Sequence, residues 1–174
     1  MNRLRAALVA VTWLFVACAG GPQVHDALLE IPRNVWSANV AVLGQVQYFG
    51  LDILPRNGLS VVIDKVEVLG LPSSVKTVGV WGKDLSISPG LIGGLSEKEL
   101  TPEERGALVP LDQVILRAPR PDRESFTLVV ALRPTAPGVF ETEGVRVHYT
   151  IVSGGAGSGV QELAQIYRIK VMAE

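Results

Sequence analysis

The stretch Val145-Arg146-Val147-His148-Tyr149-Thr150-Ile151 alternates apolar and polar side chains without a break. Successive side chains of a β-strand point to opposite faces, so this period predicts a strand buried on one side only. The pattern returns near the end of the chain, with Tyr167, Ile169 and Val171 inward and Arg168 and Lys170 outward. The glycine-rich run Ser153 to Gly159 is expected to join these two segments as antiparallel strands. Leu128 to Leu132 is apolar on both faces, which places it at the centre of a sheet.

Upstream, Val35 to Leu43 and Val46 to Leu54 are predicted strands separated at Gly44. Asn57-Gly58 is a tight-turn dipeptide leading into the valine- and isoleucine-rich Leu59 to Leu69. Pro72, Ser73 and Ser74 turn the chain into a strand from Val75 to Trp81, and Leu85 to Ser88 is a shorter one. Seven to nine short strands with turns between them predict an all-β fold, an antiparallel β-sandwich spanning 35–174. Pro89 to Pro110 breaks the rhythm with Gly90, Gly93, Gly94 and Gly106, and is expected to be one long crossover. Within it, Thr101 is a hydroxyl cap, Pro102 suits the first helical position, and Glu103 and Glu104 suit the positive end of a helix dipole. One short helical turn is predicted there.

The N-terminal region gives an address. Arg3 and Arg5 precede an apolar run from Ala6 to Val16, followed by Ala17-Cys18, the order of an export signal. The run is too short for a spanning helix, which needs roughly 20 apolar residues. Leu4 separates the arginines, so no twin-arginine signal is indicated. Leu14-Phe15-Val16-Ala17-Cys18 resembles the lipobox of bacterial lipoproteins. That resemblance implies a signal peptide over 1–17, cleavage before Cys18, diacylglyceryl attachment to its thiol and a membrane held through lipid. Residues 18–34 would form the lipidated tether, with weak helical periodicity from His25 to Ile31. Ala17-Cys18-Ala19 also reads as a small-x-small cleavage site, which would release a secreted protein. Cys18 is the only cysteine, so no internal disulfide can form and the hydrophobic core alone must hold the domain.

A formal net charge of −1 and the lack of any Lys/Arg block exclude the basic footprint of a nucleic-acid binder. Aromatic residues at 6% argue against a sugar-binding platform of stacked rings. His25 and His148 lie far apart and no His/Cys/carboxylate cluster has ligand spacing, so neither metal nor other cofactor is expected. No nucleophile-elbow serine occurs: Ser158 sits between Gly157 and Gly159, but Ala156 and Val160 occupy the positions that motif needs. Glu103, Glu104, Glu141 and Glu143 are the carboxylates that could pair in space as in glycosidases. Leu91-Ile92-Gly93-Gly94-Leu95 either tucks under the sandwich edge or forms a contact patch. In the second case Leu91, Ile92 and Leu95, with Trp81 as neighbour, would meet a protein partner.

Three stretches in order, Val62-Ile63-Asp64-Lys65-Val66-Glu67-Val68-Leu69-Gly70, Leu128-Val129-Val130-Ala131-Leu132-Arg133-Pro134 and Gly144-Val145-Arg146-Val147-His148-Tyr149, resemble exported proteins of high-GC Gram-positive bacteria. The resemblance covers about residue 35 to 172 and implies an immunoglobulin-like sandwich and no activity. The functional expectation is a membrane-anchored extracytoplasmic lipoprotein, non-catalytic, that meets another envelope protein. The alternatives are a carboxylate-based envelope hydrolase and a freely secreted binding module.

Overall fold

The computed structural model describes residues 26–29, 34–40, 42–51, 53–56, 58–90, 92–117 and 126–172. In chain order the strands are β1 (Leu28–Leu29), β2 (Asn34–Val40), β3 (Gln47–Leu51), β4 (Leu54–Pro55), β5 (Ser60–Leu69), β6 (Val75–Asp84) and β7 (Gly93–Ser96). The helix α1 (Pro102–Gly106) and β8 (Leu108–Pro110) follow, then a single 3-10 turn at Leu111–Gln113. The chain ends with β9 (Ile115–Arg117), β10 (Phe126–Pro134), β11 (Gly138–Glu141), β12 (Gly144–Ser153), β13 (Gly157–Leu163) and β14 (Gln165–Val171). Eight of these strands have five or more residues, within the expected seven to nine.

The molecule is an all-β sandwich. One layer is the four-stranded sheet β13-β12-β5-β9, and the other the five-stranded sheet β7-β3-β10-β6-β8, extended by the three-stranded sheet β11-β14-β2. β2 lies beside β7, where Gly94 closes on the backbone of Ser37. Between the layers Val61, Ile63, Val145, Val147 and Tyr149 meet Phe49, Leu51, Leu128, Val130, Leu132, Tyr167 and Ile169 in one core. The alternation of β12 and β14 is realised as read: their apolar sets are buried and Arg168 and Lys170 are exposed. β10 is central in its sheet, flanked by β3 and β6.

Several local expectations are corrected. Ser153 to Gly159 does not link β12 to the final strand; it opens β13, which pairs back on β12, while β14 crosses to the other layer. β14 pairs with β2 in parallel, so the sandwich is antiparallel everywhere except at that seam. Pro89 to Pro110 is not a bare crossover, since β7 adds to β3 on one side of its sheet and β8 to β6 on the other. Leu85 to Ser88 is a turn rather than a strand. The first long strand ends at Val40, and Val42 to Gln45 form a turn.

The folded body also begins earlier than residue 35. Within the expected tether 18–34, and in place of helical turns there, β1 pairs with β4. Ala27 and Leu28 are fully buried. The Ala27 N–H donates to the Tyr149 hydroxyl at 3.1 Å, and the Gln161 amide grips Leu28 at both its N–H (3.2 Å) and its C=O (3.1 Å). Ala27 and Leu28 bury apolar side chains and have their backbone groups bonded, which makes this segment part of the domain.

Candidate functional site

The outer face of the four-stranded sheet carries the densest polar cluster, and the cross-strand register builds it. In β12, Arg146 stands opposite Glu67 of β5 and Glu162 of β13, and His148 opposite Lys65 and Val160. A register shift at His148/Tyr149 gives β5 one extra residue, so Asp64 and Lys65 both face solvent. Glu67 is the hub: it receives Lys65 Nζ at 2.5 Å and His148 Nε2 at 3.1 Å, with Arg146 at 3.7 Å. Arg146 also binds Glu162 at 2.6 Å, and Thr150 Oγ1 donates to Asp64 at 2.9 Å. Hydrogen bonds from Lys65 and His148 draw the Glu67 pKa down to about 2. A shallow hollow of about 360 Å³ opens here, lined by Asp64, Lys65, His148, Tyr149, Ser158, Gly159 and Val160.

A carboxylate orienting an imidazole is two-thirds of a nucleophilic triad, and Ser158 lines the same hollow. The register withholds the rest. Ser158 stands opposite Thr150 instead of His148. β12 is paired on both sides, which commits its amides to ladders rather than to a developing oxyanion. Among the described residues, no group of three or more His, Cys, Asp or Glu side chains could hold a metal ion. Of the carboxylates singled out from sequence, Glu104 completes a capping box with Thr101, and Glu141 pairs with Arg168 at 2.6 Å.

The outer face of the five-stranded sheet is covered. Ile92 is fully buried with Leu100 on Val129, and Leu95, Tyr48 and Leu108 pack around them. The glycine-bearing segment therefore tucks onto the sheet, and Ile92 is not available to a partner. Trp81 is half-buried, lies over Gly79 and meets the Tyr48 ring at 6.0 Å. Lys83, which sequence reasoning passed over, is buried and latches this cover. Its ammonium donates to the Ser88 and Gly90 carbonyls, both at 2.6 Å. Burial pushes its pKa down, against the opposing pull of Glu104. Leu91 and Cys18 lie outside the described residues.

Two further hollows flank the body. One, of about 290 Å³, lies beside the N-terminal arm and is lined by Asp26, Leu28, Arg56, Val160, Gln161 and Glu162. The other, of about 340 Å³, is built by the Val42–Val46 turn with Glu97, Lys98 and Arg133. No sequence signal marked the second, because Val42 and Leu43 read as the end of a strand.

No protein-family model matches the chain, and no curated protein does. Among solved structures, the VesB protease of Vibrio cholerae matches with 10% identity and a TM-score of 0.35, over 83% of this chain and 32% of the protease chain. This chain thus spans about a third of that protein, and a likeness so loose carries no argument about fold or chemistry.

Proposed function

We propose that this protein is a membrane-anchored extracytoplasmic lipoprotein whose β-sandwich, of the immunoglobulin-like kind, is a non-catalytic binding module in the cell envelope. The observation that carries the reading is the docked arm Asp26–Leu29, taken with the export pattern that ends at Cys18. Seven residues separate Cys18 from Asp26. Fully extended, they reach roughly 28 Å. A lipid on Cys18 would hold the body close to the bilayer with the arm end nearest to it. Two or more acyl chains would hold it stably where one would not. The body then acts through its surfaces, on another envelope protein.

The experiment is fatty-acid labelling of the chain in its own cells, beside Cys18→Ala. Label and membrane retention are expected for the wild type and lost in the variant. A wild-type chain that takes up no label and is recovered from the medium refutes the anchor and identifies a secreted module.

A further inference from the structure

The turn at Val42–Gln45 is made of the wrong residues for a solvent-facing turn. Gln45 N–H closes it onto the Val42 carbonyl at 3.2 Å, and Gly44 takes φ +81° at the third position, as a type II turn requires. Turn positions ordinarily carry Asn, Asp, Ser, Gly or Pro. Here the first two are Val42 and Leu43, 54% and 51% exposed. They are not alone. Val40 and Val171 end the parallel ladder side by side, so Met172, also exposed, emerges at the same end. Glu97, Lys98 and Arg133 line the same hollow, and none of them takes part in an ion pair among the described residues. The chain as a whole carries a net charge of −1, so two cations against one carboxylate beside an apolar turn are a local departure.

This end faces away from the arm. Gly44 N–H binds Pro134, at one end of β10, whereas Thr127 at the other end binds Leu51, just ahead of the β4 segment on which the arm lies. A strand the length of β10 (nine residues) spans roughly 26 Å.

We infer that the Val42–Val46 hollow is the contact surface of the module and takes an extended segment of a partner protein that offers an apolar side chain beside carboxylates. The apolar side chain lies against Val42 and Leu43, and the carboxylates pair with Lys98 and Arg133. The inference rests on the binding-module reading and adds to it the surface and the partner's chemistry. A concave hollow at the end remote from the arm favours a protein segment over a lipid surface.

A phage-displayed library of random linear peptides, panned on the full chain in detergent micelles, tests this. Selected peptides are expected to share Leu or Ile flanked by Asp or Glu. Their affinity should fall at least tenfold on Leu43→Asp and on the double change Lys98→Glu/Arg133→Glu, and stay unchanged on Val152→Asp, an exposed site elsewhere. Selection of no such motif, or of one indifferent to these variants, overturns the inference. Co-sedimentation with phosphatidylglycerol vesicles that Leu43→Asp abolishes, without peptide selection, also overturns it in favour of a lipid surface. None of these outcomes depends on lipid at Cys18, so failure of the anchor and failure of this surface are told apart.

Discussion

Tyr167 carries its hydroxyl into the core, fully buried, where no described group receives it, and burial alone drives its pKa far up. A buried polar group without a partner costs about 1–3 kcal/mol. The ring's place in the core is secured by Phe49, 5.0 Å away between centroids. Tyr167→Phe keeps that packing and removes the stranded oxygen. Urea denaturation should show a protein as stable as the wild type or more so, by about 1 kcal/mol; a clear loss would reveal a hydroxyl partner. Glu67 makes the opposite case, a surface carboxylate held ionised by its neighbours. Its folded pKa of about 2 lies below the ordinary 4.5, so its contribution to stability is full above 4.5 and drains away as pH falls from there toward 2. The gap in urea midpoint between wild type and Glu67→Gln should therefore narrow as pH falls from about 5 toward 2. A gap that does not change with pH would mean the hydrogen bonds to Lys65 and His148 do not hold in solution.

Strands reveal themselves in sequence when one face is buried and the other wet. β12 and β14 met that condition and were legible, as was β10, whose continuous apolar run follows from burial on both faces. The helix was legible for a different reason: Thr101, Pro102 and Glu104 form a capping signal that is local and needs no tertiary context. β13 escaped notice because it is an edge strand, mostly exposed, opening on Gly157-Ser158-Gly159, so no alternation marks it. β7 and β8 are four and three residues long and exist only because long edges of β3 and β6 were there to receive them. The candidate sites divide in the same way. Ile92 was singled out correctly as unusual, yet apolar residues in a loop do not say whether they face inward, and the sheet beneath decided it. Glu67, His148 and Arg146 come together only through the β5–β12–β13 register, across elements whose pairing no local pattern states.

The whole molecule is held by pairings between distant parts of the chain. Thr127 bonds Leu51 across 76 residues, and Thr150 bonds Asp64 across 86. The first long strand, β2, is laddered to β14, near the other end of the described chain. Closing such loops costs entropy before any contact repays it, so folding should be slow for the domain's size, on the millisecond-to-second scale. Stopped-flow refolding from urea checks this, and a submillisecond main phase would contradict the topology. Layer pairing of this kind also distributes strength unevenly. The sandwich proper is laced by ladders of up to nine register pairs, but the arm is fastened by two, Leu28 with Pro55 and Leu29 with Leu54, by the grip of Tyr149 and Gln161, and by Arg56, which donates to the Ala27 and Asp26 carbonyls. Any tension applied ahead of Asp26 is borne first by that small clasp. Under the proposed anchor this clasp would act as a mechanical fuse, its release lengthening the leash by a few residues before drag reached the sandwich.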